Sequence, residues 1–264
     1  MRVTYRTGGV KEYWARRWEN IPADRPMENR EAYPLKYAEM TIPANDGPIL
    51  EAGCGAGRIL RYYHDRGYDI VGMDFISGAI DKLKAIDPTL NVEVGDITHL
   101  HYADRSFRYV LAFGLYHNLE HGLDAAVAET FRVLQPAGRV CASFRADNIQ
   151  TRLSDWLAQR KARVHGNKKG QPAFHKMNLS RREYESLFRR AGFRINVVYP
   201  VENMPLLYKF AFFRAADHKN FDESKGRTEG YRLSWLGRTL QSMLMRLFPD
   251  QFCNIYVLIA EKPA

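Results

Sequence analysis

The stretch that decides the fold is Pro48-Ile-Leu-Glu-Ala-Gly-Cys-Gly-Ala-Gly-Arg58, in which three glycines alternate with other residues. The apolar pair Ile49 and Leu50 ends at the carboxylate of Glu51, and residues 58–66 follow with helical spacing. This order predicts a buried strand, a tight glycine turn and the first turn of a helix. Glycine allows a positive φ and a close ligand approach, and the free N–H groups of a helix start suit an anionic group.

The spacing of the glycines separates two classes of nucleotide-type ligand. The NAD fingerprint, G-x-G-x-x-G, would need its third glycine at position 58, where the chain has an arginine. The spacing here is acid-x-G-x-G-x-G, formed by Glu51, Gly53, Gly55 and Gly57. It resembles the first motif of the class I S-adenosylmethionine (SAM) methyltransferases, position by position. The resemblance implies that these four residues and Cys54 bind SAM, with S-adenosylhomocysteine as the product.

A second acid lies at the end of the next predicted strand, residues 68–74. Asp74 comes about 20 residues past the glycine turn, the spacing at which a doubly wound fold places a carboxylate on a ribose diol. A carboxylate accepts hydrogen bonds from both hydroxyls. The resemblance implies that Asp74 holds the SAM ribose and that Phe75 covers the adenine. The alternative is that Asp74 caps the helix predicted over 77–86.

Further candidate cofactor-binding residues follow the third and fourth predicted strands. In the resembled family an acid after strand three contacts the adenine amino group and an apolar residue lies against the ring, which implies these roles for Asp96 and Ile97, beside Gly95. Phe113 and Gly114 follow the fourth strand, 107–113, where open α/β sheets bind ligands. The resemblance therefore extends the predicted cofactor site to Phe113 and Gly114.

The loop after the fourth strand also supplies the candidate catalytic residues. His117 is our candidate general base, because histidine titrates near neutrality; the alternative is a loop histidine that shapes the pocket. Tyr116 and Asn118 are candidates to orient the acceptor. His175 and Tyr208 are less favoured candidates for the same chemistry.

Strands and helices alternate up to Phe144, which predicts an α/β fold with a Rossmann-like, doubly wound sheet. The run 128–139 resembles the E-x-x-R-V-L-K-P-G-G stretch of the same family, with Gln135 and Ala137 replacing its lysine and first glycine. The resemblance implies seven strands, mostly parallel, with an antiparallel last strand and helices on both faces.

The same pattern divides the chain. We assign 1–47 to an N-terminal lid segment and 48–264 to the SAM-binding domain. This domain has insertions at about 147–175 and 200–250, interpreted as a substrate cap. In the N-terminal segment an aromatic helix over 12–18 offers Tyr13 and Trp14 as lid contacts; the alternative is that they pack on the sheet.

Composition sets broad limits. The 264 residues include 39 Lys and Arg against 30 Asp and Glu, a net charge of +9, which favours anionic partners without identifying a site. Three isolated cysteines, a start without an apolar signal sequence and the lack of a bilayer-length apolar run predict a reduced, cytoplasmic protein.

Several methyltransferase subclasses need motifs that this chain lacks. After strand four, enzymes that methylate amino groups of nucleic acids carry Asn/Asp-Pro-Pro-aromatic, where residues 113–116 here are Phe-Gly-Leu-Tyr. Base C5 enzymes need a cysteine in that region. Metal-dependent catechol-type enzymes need clustered acids, of which only Glu120 and Asp147 are near. We therefore predict metal-independent transfer to oxygen or nitrogen of a small molecule, including an apolar or lipid-linked one.

Residues 232–248 are predicted to form an amphipathic helix bordered by arginines. Its apolar positions recur at helical spacing; they are Leu233, Leu236, Leu240, Met243, Leu244, Leu247 and Phe248. The favoured interpretation is a lid that packs this stripe on the domain and covers an apolar acceptor pocket. The alternatives are a peripheral membrane contact through 232–248 and a dimer contact.

Two other functions stay open at this point. One is an RNA- or protein-modifying methyltransferase that uses the basic surface and the basic residues 161–170, although no RNA-binding module is recognisable. The other is a non-catalytic SAM-binding partner subunit. The sequence does not identify the acceptor or the oligomeric state.

Overall fold

The computed structural model describes residues 1–7, 9–164, 172–220 and 231–264, which form two compact units. The first comprises Met1–Arg145, Lys169–Tyr199 and Val257–Ala264, and the second Ala146–Lys168 and Pro200–Tyr256. Most of the predicted basic segment 161–170 lies outside the described residues.

The strands and helices of the described residues follow in chain order. The strands are β1 (Arg2–Thr7), β2 (Ile49–Ala52), β3 (Ile70–Asp74), β4 (Val92–Val94), β5 (Phe107–Ala112), β6 (Leu134–Arg145), β7 (Pro172–Asn178), β8 (Arg194–Val201) and β9 (Ile255–Glu261). The helices are α1 (Val10–Asn20), α2 (Leu35–Thr41), α3 (Arg58–His64), α4 (Ser77–Ile86), α5 (Leu123–Val133), α6 (Ile149–Val164), α7 (Arg181–Arg190), α8 (Trp235–Leu247) and α9 (Pro249–Phe252).

Seven strands form the central sheet in the order β4-β3-β2-β5-β6-β9-β8. The pairs β3–β4, β2–β3, β2–β5 and β5–β6 are parallel. Strand β9 runs antiparallel to β6. The N–H of Lys262, just after β9, donates to Gly138 near the start of β6, and the N–H of Ala146, just after β6, donates to Asn254 just before β9. The predicted seven-stranded sheet with an antiparallel last strand is confirmed.

This topology places the candidate site. Strands β3 and β4 are added in turn on one side of β2, and β5 then pairs with the other side of β2. The direction in which strands are added therefore reverses between β2 and β5. Ligands of such sheets bind beyond the carboxyl ends of the strands at this point. All four residues of β2 are buried, which fits a parallel strand covered on both faces.

A second, two-stranded sheet was not predicted. Strand β1 pairs antiparallel with β7, from Arg2 opposite Asn178 to Thr7 opposite Pro172. Thr4 is paired with Lys176 and Tyr5 with Phe174, so His175 is an extra residue at a β-bulge. The predicted lid segment therefore begins with a strand.

Candidate functional site

The glycine turn is held against the end of β3 by main-chain hydrogen bonds. The N–H groups of Gly53 and Cys54 donate to the carbonyl oxygen of Met73 at 2.7 and 3.0 Å. Gly55 has φ +53°, and a Cβ at this position would lie 2.5 Å from the ring of Trp18. Only glycine allows both this backbone conformation and the approach of the indole.

Asp74 connects the end of β3 to two backbone segments. Its Oδ2 accepts from the N–H of Gly55 and its Oδ1 from that of Ile76, both at 2.9 Å. Burial raises the pKa of this carboxyl, and the hydrogen bonds from Ile76 and Gly55 oppose that effect. Because each carboxylate oxygen has two lone pairs, Asp74 keeps acceptor capacity for a diol, and the ribose role stays a prediction.

Glu51 is a buried carboxyl group directly before the turn. Burial raises its pKa to about 8, although a hydrogen bond from the Leu60 backbone and the charge of Arg58 act in the opposite direction. Its Oε2 is buried without a hydrogen-bond partner among the described residues. A buried carboxyl oxygen without a partner is costly, and a cationic ligand group at this point would remove that cost.

The residues predicted to hold the adenine differ in exposure. The ring of Phe75 is 52% exposed, with Lys11 Nζ at 4.9 Å from its centroid. Asp96 is exposed, and its Oδ1 accepts from both the N–H and the hydroxyl of Thr98 at 2.8 Å. Ile97 lies in the core, and a Cβ on Gly95 would meet Met73 Sδ at 2.5 Å. Phe75 and Asp96 thus remain accessible to a ligand.

Helix α1 meets the glycine turn through a residue that the sequence analysis missed. Trp18 contacts Gly55 and stacks on Trp14, with ring centroids 5.3 Å apart. Tyr13, one of the predicted lid contacts, is 40% exposed and carries the guanidinium of Arg6 over its ring at 3.6 Å. The spacing of Trp14 and Trp18, one helical turn, was the available signal.

A hydrogen-bond chain joins the loop after β5 to the end of β6. The N–H of Gly114 donates to Ser143 Oγ at 2.8 Å, and the Tyr33 hydroxyl lies 2.9 Å from the same oxygen. Burial raises the pKa of Tyr33 to about 12. The ring of Phe113 packs edge-on against Tyr33 at 5.8 Å. Tyr33 was not predicted, because it lies far from any motif in a turn-rich segment.

The two residues predicted to orient the acceptor differ in burial, and the role of Asn118 stays a prediction. Tyr116 is fully buried and its hydroxyl lies 2.6 Å from Thr130 Oγ1, so we correct its predicted role to that of a core residue. The side-chain amide of Asn118 donates to the carbonyl oxygen of Gly114, which closes the loop on itself. Tyr208 is also fully buried, in the second unit, where it bonds His218 Nδ1 at 3.0 Å.

His117 combines burial with a cationic environment. It lies in the short 3-10 helix Tyr116–Asn118, and its Nδ1 is buried without a partner among the described residues. Burial lowers its pKa well below the usual value, and the nearby charges of Arg145, Lys176 and His175 lower it further. At neutral pH this imidazole is therefore uncharged and can accept a proton or a hydrogen bond.

The bulge in β7 lies at two of the residues that neighbour His117. In a regular strand, neighbouring side chains point to opposite faces. The extra residue at His175 interrupts this alternation, which is how a bulge redirects a side chain. Both His175 and Lys176 are close enough to His117 to affect its pKa.

The predicted burial of the apolar stripe in the C-terminal helix is met only in part, because Leu233, Leu240 and Leu244 are half-buried. In α8 the buried residues are Gly237 and Gln241, whereas Leu236, Met243 and Leu247 are exposed. A Cβ on Gly237 would lie 2.6 Å from the carbonyl oxygen of Phe213, which shows how closely that side of the helix is packed. Gln241 donates to Glu202 Oε2 at 2.6 Å and accepts from the N–H of Leu207 at 3.2 Å.

Two kinds of feature are absent from the described residues. They contain no cluster of three or more His, Cys, Asp or Glu side chains able to hold a metal ion. No helix within these ranges has the length and apolar character that a membrane crossing requires.

Comparisons with known proteins agree with this geometry. Residues 49–138 match the family described as a methyltransferase domain. The chain is 30% identical over 111 residues to an uncharacterised methyltransferase of Mycobacterium tuberculosis, covering 42% of this chain and 45% of that protein. It is 36% identical over 93 residues to a demethylmenaquinone methyltransferase of Renibacterium salmoninarum, covering 35% and 38%. The matches thus span less than half the length of these curated relatives.

A solved structure extends the likeness in fold to nearly the whole chain. It is the methyltransferase in a complex with the Haloferax volcanii Trm112 methyltransferase activator, with a TM-score of 0.62, 17% identity and 96% of each chain covered. At this identity the likeness concerns the fold alone.

Proposed function

Because residues 49–138 form a class I SAM-dependent methyltransferase domain, we propose that the whole chain is a SAM-dependent enzyme that methylates an oxygen atom of a small molecule. The observation that carries the proposal is the uncharged, partly buried His117 beside the cationic side chains of Arg145 and Lys176, on the loop after β5. Neither the identity of the acceptor nor the class of the methylated atom follows from the family match.

The residues at the glycine turn fit SAM. The turn has no Cβ at Gly53, Gly55 or Gly57, and the indole of Trp18 lies over Gly55. The unpartnered Oε2 of Glu51 suits the ammonium group of the methionine part of the cofactor. Asp74 would hold the ribose hydroxyls, and Phe75 and Asp96 are exposed for the adenine. When bound, SAM supplies a methyl group on a positively charged sulfur.

The acceptor side favours oxygen over nitrogen. A protonated amine would be repelled by Arg145 and Lys176, whereas an oxygen that loses its proton becomes negative and is attracted by them. The proton would pass to a ring nitrogen of His117, and the deprotonated oxygen would bond the methyl carbon as the sulfur–carbon bond breaks. Because the same cations make His117 a weak base, acidic hydroxyls such as phenols are favoured over simple alcohols.

The cofactor assignment is tested by calorimetric titration with S-adenosylhomocysteine. We expect micromolar binding to the wild type and at least tenfold weaker binding to Asp74→Ala. Asp74→Asn, which keeps the side-chain volume, separates loss of the carboxylate from loss of folding, and Asp81→Ala, exposed on α4, is the control. A wild type that does not bind would overturn the proposal.

The acceptor class is tested with SAM carrying a labelled methyl group and matched sets of phenols, alcohols and amines. We expect label in the phenols and its loss in His117→Asn, which still binds S-adenosylhomocysteine. Transfer to amines alone would contradict the oxygen assignment, and binding without transfer to any acceptor, RNA and protein included, would contradict the enzymatic role.

A further inference from the structure

Helix α8 exposes its apolar side and buries its small or polar side. Trp235 is 74% exposed and Leu247 60%, and Leu236 and Met243 are also exposed. At 100° per residue these four side chains fall within about 120° of the helix circumference, opposite the buried Gly237 and Gln241. The exposed Thr239 and Arg246 lie in the same sector, and the long side chain of Arg246 can extend to the headgroups from there. An apolar face that points away from its own unit is unusual in a protein without a partner.

The same unit exposes two further aromatic side chains next to α8. Phe213 packs on Gly237 through its backbone, and the preceding Phe212 is 77% exposed. Phe248, which ends α8, is 56% exposed. Aromatic and long aliphatic side chains on one face are typical of helices that lie in the plane of a membrane surface.

The charged residues of α8 and of the segment directly before it are all of one sign. The stretch 231–248 contains no Asp or Glu, and it carries Arg232, Arg238 and Arg246. Arg232 is paired with Asp217 at 2.6 Å, whereas Arg238 and Arg246 are exposed on α8 itself. Trp235 and Arg238 also line a cavity of about 670 Å³ within the second unit, beside the exposed face.

We propose that α8 docks on an anionic lipid bilayer surface, with Trp235, Leu236, Met243 and Leu247 buried among the acyl chains and Arg238 and Arg246 against the headgroups. The apolar side chains supply the hydrophobic contribution, and each arginine adds an electrostatic contribution. Docking of this kind places the enzyme beside apolar or lipid-linked molecules without a membrane-spanning helix. The inference does not depend on the proposed methyl transfer.

A second copy of the chain fits this face less well. A two-fold interface sets the same surface against itself, so Arg238 and Arg246 would meet the arginines of the other copy with no acid on either helix. A helix of 13 residues is about 20 Å long and about 10 Å wide, so one face of it covers about 200 Å². This area is far below the roughly 800 Å² that each partner buries in a stable interface.

Vesicle flotation tests the proposal with the full chain and without cofactor or acceptor. Vesicles of phosphatidylcholine alone are compared with vesicles containing ~30% phosphatidylglycerol, at low and high salt. We expect binding to the anionic vesicles that weakens with salt. A blue shift of tryptophan emission should accompany binding and be much smaller in Trp235→Phe.

Two variants separate the apolar and the charged contributions. Leu236→Ser/Met243→Ser/Leu247→Ser should bind at least tenfold more weakly, against Met40→Ser/Ile86→Ser as a control at exposed apolar residues elsewhere. Arg238→Glu/Arg246→Glu should lose at least tenfold on anionic vesicles, against Lys84→Glu/Arg182→Glu. All altered residues are exposed, so the fold should be retained.

Either of two results would overturn the proposal. One is that the wild type does not bind anionic vesicles, or binds them no more tightly than its α8 variants do. The other is a wild type that is dimeric by light scattering while the α8 variants are monomeric, which would assign the face to a second copy.

Discussion

Lys82, on α4, donates to the main-chain carbonyl oxygen of Trp18 at 3.2 Å, and Trp18 is the residue whose ring covers Gly55. The same ammonium group donates to the carbonyl oxygens of Glu19 and Ile21 at 3.1 and 2.7 Å. These carbonyls lie at the C-terminal end of α1, where a cation is favoured by both the free acceptors and the helix dipole. Lys82 thus fixes the end of the helix that contacts the glycine turn.

Replacing Lys82 by Met should therefore loosen α1 without altering any predicted cofactor residue. Loss of the charge at the helix end should cost about 1 kcal/mol of folding free energy. Amide exchange in 16–21 should become faster, and S-adenosylhomocysteine should bind several-fold more weakly. Lys84→Met, at an exposed position two residues on, is the matched control. If the amide exchange rates of α1 are the same in Lys82→Met as in the wild type, Lys82 does not stabilise the helix.

Gly55→Ala should disturb the contact between Gly55 and the ring of Trp18. The substitution costs about 1–2 kcal/mol for a side chain at φ +53°, and the new Cβ must also displace the Trp18 ring. Urea denaturation of Gly55→Ala, Trp18→Ala and the double variant measures the coupling. Because Trp18→Ala removes the ring, we expect Gly55→Ala to cost less in that background. Equal costs in both backgrounds would contradict the contact.

Elements of this fold could be predicted from the sequence where the residues that determine them are close together in the chain. The glycine turn, Asp74 and the first five strands of the central sheet follow from short-range spacing, since each strand–turn–helix unit is continuous in sequence. The capping box formed by Ser180 and Glu183 at the start of α7 is an equally local feature. Pairing of β1 with β7 joins residues 176 positions apart, from Arg2 to Asn178, and no local pattern indicates it.

Periodicity also identifies a helical face without showing which way it points. The stripe in α8 was expected to be buried, because apolar faces usually pack inward. Gly237 permits a close backbone approach on the other side, and Gln241 satisfies two hydrogen bonds there, so that side is packed instead. In the same way, the order Tyr116-His117 could not show that the tyrosine enters the core while the histidine faces the cations.

The buried carboxyl of Glu51 should make the stability of the ligand-free protein depend on pH. Its pKa is raised to about 8 in the folded state from an ordinary value of 4.5. Between these values the folded state holds a proton that the unfolded state has lost, so the free energy of unfolding should fall as pH rises. The slope approaches about 1.4 kcal/mol per pH unit. Urea denaturation from pH 5.5 to 8 should therefore show a steeper fall in the wild type than in Glu51→Gln, which keeps the contributions of Glu202, whose pKa burial raises to about 7, and of His117, whose pKa burial lowers. Glu28→Gln, at an exposed site, should match the wild type.

The same carboxyl predicts proton release when the cofactor product binds. A cationic amino group beside Glu51 Oε2 would lower the pKa of the carboxyl, so binding near pH 7 should release close to one proton. Calorimetry of S-adenosylhomocysteine in two buffers of different ionisation enthalpy measures this number. Affinity should accordingly rise with pH up to about 8. A binding reaction without proton release in the wild type would place the amino group away from Glu51.

The cations around His117 should be visible in its titration. Burial, followed by Arg145, Lys176 and His175, lowers the pKa of this imidazole well below its usual value, so it should stay neutral through pH 6.5. Removing one cation in Lys176→Met should raise the pKa, and with it the pH at which the acid limb of kcat/KM falls. Ring resonances followed by NMR, assigned with His117→Asn, report this shift without an acceptor. Lys84→Met, the same charge loss at an exposed site on α4, should leave the titration unchanged. A wild-type His117 that titrates at 6.5 or above would remove the basis for the oxygen acceptor.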